Sequence, residues 1–318
     1  MTDATPDVRP SGPGNAVVGI LTAIWRSWSG RIGLIFVSII VAAAIVSLFW
    51  VPYDPLEVVP TDKWLPISRD HWFGTDGAGK DLFSQALEGS RVSLFVALVT
   101  AAIAAAVGLG LGIFSAVLPS RLGDPIAYFV DVMIAIPTLI FALVLVGVFS
   151  ASVLVITLAL GVGFGVALAR IVRGEGLRVM TQDYIMAAAA SGTSTWRTTW
   201  RHVLPNVAPV AIVQLSLIAG LAIVAETSLA FLGVSSLNRA SWGRTLGELQ
   251  GSITAHLGSA VPTSIVLVIA TLGFNLLGDG LRDAIDPRLR LSGRRGAAPG
   301  VVADEAPVVT VVDEASLL

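Results

Sequence analysis

The chain has 318 residues, of which 54% are hydrophobic and 13% are charged, and its formal net charge is −2. A soluble domain carries about 25% charged residues, so this composition is too apolar for a soluble surface. The small net charge gives no reason to expect a nucleic-acid partner, and the absence of cysteine from the sequence excludes disulfides and thiolate metal sites. His71, His202 and His256 form no HxxxH or HExxH pair, so we predict no metal site.

The first apolar stretch decides how the N-terminal region is interpreted. Residues 32–51 contain no charge, and at about 1.5 Å per helical residue they span about 30 Å, which is the thickness of a bilayer core. The stretch is longer than the apolar region of a signal peptide, which has about 7–15 residues. We therefore expect a retained membrane anchor that follows a cytoplasmic segment, residues 1–31.

Six apolar stretches predict six membrane-spanning helices. They lie at 32–51, 92–118, 125–149, 152–169, 207–233 and 260–278. In lipid, backbone polar groups must be satisfied within the segment, so each stretch is expected to be helical. The predicted fold is therefore all-α: a polytopic membrane protein whose transmembrane domain covers 32–291. Residues 292–318 are acidic and lack helical periodicity, so we expect a disordered cytoplasmic tail.

The distribution of basic residues predicts the orientation. Fourteen of the 20 Lys and Arg residues lie in the segments on the side of both termini, and such residues concentrate in cytoplasmic segments. We therefore expect both termini and the loop 170–206 in the cytoplasm, and segments 52–91 and 234–259 on the outer side.

Two features of the middle spans concern packing. Gly108 and Gly112 form one GxxxG pair, and Gly161 and Gly165 form another. Such pairs let helix backbones approach closely in lipid, and packing within the chain is the interpretation that we favour. Pro137 is expected to kink the third span.

The loop before the fifth span predicts two short helices. The first, starting at Asp183, is rich in alanine and should stop near Gly192, and the second should start at an N-cap, Thr193 or Ser194, and end by Pro205. In the second helix, residues at i, i+4 and i+7 should share one face. These residues are Trp196, Trp200 and Val203, with Arg197 and Arg201 beside them. A face with these side chains is typical either of a docking surface for a protein or of an interfacial helix that lies on lipid headgroups.

Two acidic features outside this loop are candidate sites. Glu226 lies deep in the fifth span, where it should face either a structural partner or the translocation path. Asp76, Lys80 and Asp81 belong to a glycine-rich outer segment that lacks the GxxxxGK[ST] order of a phosphate loop. A tight turn in which these acids cap the turn, or pair with Lys80 or Arg91, is the structural interpretation, and a gate or binding-protein contact is the functional one.

The loop resembles the "EAA" loop of the membrane subunits of binding-protein-dependent ABC importers. That pattern is Glu-Ala-Ala, three residues, Gly, nine residues, and a segment that ends in Leu-Pro. The chain keeps this spacing from Met186-Ala187-Ala188 through Gly192 to Leu204-Pro205. Met186 stands where the pattern has Glu, which removes one expected salt bridge to the ATPase.

Three further segments are similar to the C-type permeases of dipeptide, oligopeptide and nickel importers. His71 to Ser84, continuing through Gly89 to Ser93, resembles the HxxGTDxxGRDxxS…GxRxS signature, with Lys80 in place of Arg. Glu226 to Gly233 and Asn275 to Arg288 resemble two later motifs of the same subunits.

The resemblance implies a permease subunit of an importer in the bacterial inner membrane. Its implied partners are a homologous permease, two ATP-binding subunits or domains, an extracytoplasmic solute-binding protein and the surrounding lipid. ATP and Mg would be bound by the ATPases, and this chain would bind no cofactor and catalyse no reaction. The residues implied to couple to the ATPase are Tyr184, Met186, Ala187, Ala188, Gly192, Trp196, Arg197, Trp200, Arg201 and Pro205.

The substrate class follows less directly. Di- and oligopeptides are expected, with nickel or another small solute as the alternative within the same family. A secondary transporter and a membrane scaffold or intramembrane enzyme are the alternatives from other classes. The secondary transporter would need ion sites within its spans, for which one intramembrane acid is little support.

Overall fold

A computed structural model describes residue 22 and residues 24–234 and 239–285. The α-helices there are α1 (Trp28–Phe49), α2 (Leu82–Val117), α3 (Ser120–Ile134), α4 (Thr138–Phe149), α5 (Val153–Met180), α6 (Asp183–Ala190), α7 (Thr195–Thr198), α8 (Leu204–Phe231), α9 (Trp242–Leu249) and α10 (Leu257–Ile285). A π-helical turn, Thr199–Val203, joins α7 to α8, and short 3₁₀ turns lie at Pro60–Asp62 and Gln250–Ser252. The predicted tail and most of the predicted N-terminal segment lie outside the described residues.

Five helical stretches in the described ranges are long and apolar enough to cross a bilayer, and a bent pair supplies a sixth crossing. The pair is α3 and α4, whose axes meet at 83° across a break of three residues. Pro137 ends this break and caps α4, as the sequence predicts, because a proline cannot donate the backbone hydrogen bond that would continue α3. The all-α fold predicted from the sequence is therefore confirmed, with the third span broken.

Two helices extend beyond the predicted apolar stretches. α2 begins at Leu82, about ten residues early, and α5 continues to Met180, about ten residues late. The added turns carry charged residues, among them Arg91 and Arg173. A run of apolar residues marks only the part of a helix that is suited to lipid. It does not show where the helix continues into water.

The glycine pairs pack α2 against α5. A Cβ atom added to any of the four glycines would lie within 3 Å of a side chain on the facing helix. The pairs that meet are Gly161 with Ile103, Gly165 with Val107, Gly108 with Leu168, and Gly112 with Val172. Residue numbers rise together along this seam, so α2 and α5 run parallel, and the broken α3–α4 span makes the return crossing between them.

The two ends of α8 lead into different structures. Its N-terminal end continues from residues 183–203, which we call the EAA segment. Its C-terminal end leads toward a group of loops and short helices, residues 50–81 and 239–256, which we call the cap. α8 therefore connects the two regions that contain most of the predicted site residues.

Candidate functional site

The EAA segment begins with α6 and turns sharply at Gly192. Gly192 has φ +80°, a conformation that favours glycine because a Cβ atom would crowd the backbone. The next helix starts at Ser194, whose side chain accepts a hydrogen bond from the Arg197 N–H. The predicted break near Gly192 and the predicted N-cap at Ser194 are therefore both found.

The predicted end of the second helix at Pro205 is wrong. Helical structure runs without interruption from Thr195 to Phe231, through the π-helical turn and past this proline. In the π turn, the Leu204 N–H bonds to the carbonyl of Thr199. Pro205 is the second residue of α8 and follows directly on this π turn.

The EAA segment has one buried and one exposed face. Ile185 is 3% exposed and Val203 is fully buried, and both belong to a core cluster with Val172, Val179 and Val207 of α5 and α8. The segment is therefore packed onto the ends of two long helices. The prediction that Val203 shares a face with Trp196 and Trp200 is wrong, because the π turn rotates it inward.

The opposite face exposes large side chains. Trp196 and Trp200 are 61% and 54% exposed, and their rings meet edge to face with centroids 5.4 Å apart. Tyr184 and Met186 of α6 are 46% and 56% exposed. Exposed aromatic and thioether groups are characteristic of a protein-binding surface, and the two tryptophan rings form the exposed aromatic cluster here.

Two cations flank this cluster. Arg197 and Arg201 are exposed, and neither forms an ion pair within the described residues. By contrast, Arg178 at the end of α5 is paired with Glu175. Of the remaining predicted residues, Ala187 and Pro205 are exposed and Ala188 is half-buried.

At the cap, two aspartates organise the glycine-rich turn. One carboxylate oxygen of Asp76 accepts the N–H groups of Ala78 and Lys80 at 2.8 and 2.9 Å, and its other oxygen accepts from Gln85 at 3.1 Å. Asp81 is the N-cap of α2 and accepts the N–H and the hydroxyl of Ser84 at 2.7 and 2.6 Å. The carboxylates therefore cap the turn, as one of the two interpretations predicts.

Of the two arrangements that the structural interpretation offers, capping is found, and no ion pair of either aspartate with Lys80 or Arg91 is found among the described residues. Asp81 contacts His71 instead, with Nδ1 and Oδ1 2.9 Å apart. The Lys80 ammonium lies 3.0 Å from Glu248 of α9, which also accepts from Arg244 at 2.8 Å. Burial alone would raise the pKa of Glu248, but hydrogen bonds and charge from Lys80 and Arg244 lower it below its ordinary value.

Further contacts tie α9 to the start of α2. The Trp242 indole donates to the carbonyl of Ala86 at 2.9 Å, and the Thr245 hydroxyl donates to Gln85 at 2.6 Å. These partners are more than 150 residues apart in the chain. Sequence reasoning missed Glu248, Gln85 and Thr245 because no local pattern indicates which distant polar residue will be opposite.

Glu226 lies in α8 near its cap end and is 1% exposed. Its hydrogen-bonding neighbour is the hydroxyl of Ser241, which caps α9. The second carboxyl oxygen, Oε2, has no hydrogen-bond partner in the part of the chain that the structure describes. The side chain is thus enclosed by its own chain in this conformation, so no solute can reach it.

Comparison with known proteins identifies the family and the residues of this chain that match its model. Residues 108–291 match the family model described as the binding-protein-dependent transport system inner membrane component. The chain belongs to this family. The matched residues include α5, the EAA segment, α8 and α9, and so contain both the exposed aromatic cluster and Glu226.

Curated relatives cover most of the chain. It is 32% identical over 262 residues to the oligopeptide transport system permease protein OppC of Bacillus subtilis, which covers 81% of this chain and 85% of that protein. It is 33% identical over 269 residues to the probable D,D-dipeptide transport system permease protein DdpC of Escherichia coli, covering 83% and 90%. The dipeptide permease DppC of B. subtilis is 33% identical, with 81% of each chain covered.

A solved structure has the same fold. The methionine ABC transporter MetNI, in an inward-facing conformation, aligns with a TM-score of 0.55 over 64% of this chain and 97% of that chain, at 18% identity. This family member is thus a multi-pass membrane permease subunit of an ABC importer, a family whose members work with an ATPase and a binding protein.

Proposed function

We propose that this chain is one of two homologous permease subunits of an ATP-driven importer of di- or oligopeptides, and that its EAA segment docks onto an ATPase subunit. The observation that carries the docking is the exposed Trp196–Trp200 pair on a segment whose other face is packed into the transmembrane core. The peptide substrate is supported by the relatives that are named as oligopeptide and dipeptide permeases.

Several features favour a protein partner over lipid headgroups. Helices that lie on a membrane bury a continuous apolar face, often over 20–30 residues. Here the eight-residue helix α6 ends at a tight turn before α7, so the exposed apolar surface is interrupted and includes the ring pair of Trp196 and Trp200. A surface of this kind fits a pocket better than a planar membrane surface.

The chemistry of the docking partner follows from the exposed groups. Met186 presents a thioether where the family pattern has a carboxylate, and Arg197 and Arg201 provide unpaired positive charge. We therefore expect the ATPase to present an apolar groove for the tryptophans, with acidic side chains facing the arginines. The complementary charges would orient the two subunits and speed their association.

The continuous helix from Thr195 to Phe231 explains how docking would act on transport. When the ATPase subunits close on ATP and Mg, a movement of α7 passes directly into α8, because no flexible loop separates them. The hydrolytic chemistry belongs to the ATPases in this proposal. The permease contributes the path and the change of access from one side to the other.

The proposal includes an orientation. The EAA segment and both termini face the cytoplasm, in agreement with the excess of arginine on that side. The cap then faces outward, where an extracytoplasmic binding protein would deliver peptide. A cysteine introduced at exposed Asp54 should react with an impermeant reagent applied from outside, whereas one introduced at Thr195 should react only from the cytoplasmic side.

Co-purification tests the docking. The double variant Trp196→Ala/Trp200→Ala should lose most of the ATPase that co-purifies with the wild-type permease, while its own yield in membranes stays unchanged. Trp28→Ala is the matched control, since Trp28 is 76% exposed outside the EAA segment. Retention of the ATPase by the double variant would contradict the docking proposal, and the ligand of the cognate binding protein tests the peptide assignment separately.

A further inference from the structure

A pocket of about 340 Å³ lies in the cap, next to the end of α1. Its walls combine aromatic rings with three charged residues, of which Asp81 is the buried N-cap of α2. The lining residues that matter here are Trp50, Tyr53, Arg69, Asp70, Trp72 and Phe83. None of them belongs to the EAA segment, and docking of an ATPase does not involve them.

The aromatic walls are held in place by their own contacts. The Trp72 indole donates to the carbonyl of Arg69 at 3.1 Å, and its ring packs on Phe83 with centroids 4.7 Å apart. Tyr53 stacks on the His71 ring at 4.9 Å, and His71 is itself held by Asp81. Trp50 completes the group, 6.4 Å from Trp72. A ligand would therefore meet rings that are already positioned, which reduces the entropy lost on binding.

Two of the three charged residues are available to a ligand, since Asp81 is already held by Ser84 and His71. Arg69 and Asp70 are exposed, and neither forms a salt bridge with another described residue. A guanidinium binds phosphate through several N–H donors. A ligand ammonium is attracted both by Asp70 and by the faces of Trp and Tyr rings. Together these groups suit a ligand with adjacent phosphate and ammonium groups.

The position of the pocket indicates where such a ligand comes from. Trp50 directly follows Phe49, the last residue of the membrane-spanning helix α1, and both side chains are at least half exposed. Phospholipid headgroups lie at this depth, next to the hydrocarbon core. We propose that the pocket binds the headgroup of a zwitterionic phospholipid, with its phosphate on Arg69 and its ammonium between Asp70 and the rings of Trp50 and Trp72.

This proposal differs from an ordinary interfacial belt of aromatic residues. A belt positions a helix at the membrane surface and does not distinguish one headgroup from another. The Arg69–Asp70 pair adds that selectivity, because an anionic headgroup would satisfy Arg69 and meet repulsion from Asp70. A lipid held here would contact the end of α1 and the start of α2 at once.

Lipid retention measures the selectivity directly. The full chain in its purified transporter complex is delipidated, exposed to equal amounts of phosphatidylethanolamine and phosphatidylglycerol, and examined by native mass spectrometry. We expect the tightest-held lipid to be phosphatidylethanolamine, and its affinity to fall about five- to tenfold in Arg69→Gln and in Trp72→Leu, the range expected for one cation–π or phosphate contact. Lys63→Gln, an exposed cation of the same segment outside the pocket lining, should leave retention unchanged.

The outcomes separate the possible ligands. Equal retention of the two lipids, or equal loss in Lys63→Gln, would reject the headgroup site. If a zwitterionic dipeptide displaces the bound lipid but free phosphoethanolamine does not, the pocket binds the transported solute and the lipid assignment is wrong. Arg69→Gln changes an exposed side chain, so it should fold normally and keeps the test informative if Trp72→Leu proves unstable.

Discussion

The two ends of α8 use their polar side chains in opposite ways. In the cap, Asp76, Asp81 and Lys80 are at least 90% buried, and each contacts another residue of the chain. In the EAA segment, Arg197 and Arg201 are exposed and have no ion-pair partner among the described residues. These three buried groups of the cap are satisfied within the chain, whereas the EAA segment leaves its two arginines available for another protein.

This contrast separates a region that stabilises the membrane bundle from a region that is suited to respond to a partner. The cap connects the ends of α2, α8 and α10 through side-chain contacts, so that end should move as a unit. The EAA segment is anchored by Ile185 and Val203 alone of its large apolar side chains, so its position can respond to a partner. Substitutions at the two ends should therefore affect different measurements.

The largest effect is expected at Gly192. Valine there would be forced into a left-handed conformation, which costs about 1–2 kcal/mol or more. The direction of α7 relative to α6 should therefore change. We expect Gly192→Val to reduce peptide uptake at least tenfold in proteoliposomes while the ATPase continues to hydrolyse ATP. The space beside Gly192 is open, so the loss would reflect backbone geometry and not crowding.

Gly174→Val provides the matched control. Gly174 is exposed near the end of α5, and a Cβ atom there would also meet nothing within 4 Å, but its backbone is helical. This variant should transport normally. Normal transport by Gly192→Val in an intact complex would contradict the need for this turn.

At the cap, Asp81 should matter for stability more than for coupling. Asp81→Ala removes an N-cap and leaves the Ser84 N–H and His71 without their acceptor, a loss of about 2 kcal/mol. We expect a lower midpoint of thermal unfolding for the solubilised complex, with a normal ratio of uptake to ATP hydrolysis in the fraction that stays folded. Asp54→Ala, an exposed acid of the same region, should change neither, and an unchanged midpoint for Asp81→Ala would show that the cap network adds no stability.

Substitutions of Glu226 test whether the stabilising contacts of the cap extend into the membrane-spanning part of the chain. Glu226→Gln keeps the side-chain volume and a group that can bond Ser241, so transport and stability should change little. Glu226→Ala leaves a cavity and should destabilise the complex by about 1–3 kcal/mol. The unfolding midpoints and uptake rates of the two variants distinguish a structural role of Glu226 from a contact with the solute. Loss of transport by a stable Glu226→Gln complex would mean instead that the negative charge contacts the solute.

The smallest effect concerns pH. Lys80 and Arg244 hold the pKa of Glu248 below its ordinary value, so the folded state binds a proton there less readily than the unfolded chain does. This contribution to stability is present above the ordinary pKa of a glutamate, near 4.3, and is lost as the pH falls through the lowered value. The unfolding midpoint of Lys80→Met should therefore depend less on pH in this range than that of the wild type. An unaltered pH dependence would argue against the ion pair, and Lys63→Met is the control.

The sequence predicted the helices well and the polar contacts poorly, for physical reasons. Apolar length and glycine spacing are local properties, so the spans, the break at Pro137 and close packing at the two glycine pairs could be predicted, but the pairing of α2 with α5 could not. The EAA turn was also accessible, because Gly192 and Ser194 act on neighbouring backbone. The pairing of Lys80 with Glu248 was not, since it depends on how α9 folds back over α2. The buried position of Val203 depends on the π turn, which no residue pattern in the loop indicated.

The π turn has one more consequence. Each residue of an α-helix advances about 100° around the axis, and a π turn accommodates one residue beyond that register. If the same residues formed a regular α-helix instead, α7 would turn by roughly 100° relative to α8. The tryptophans would then point away from their partner although every side chain of the docking surface was still present. The π register of this turn, and not only its composition, thus sets the direction in which the proposed docking surface faces.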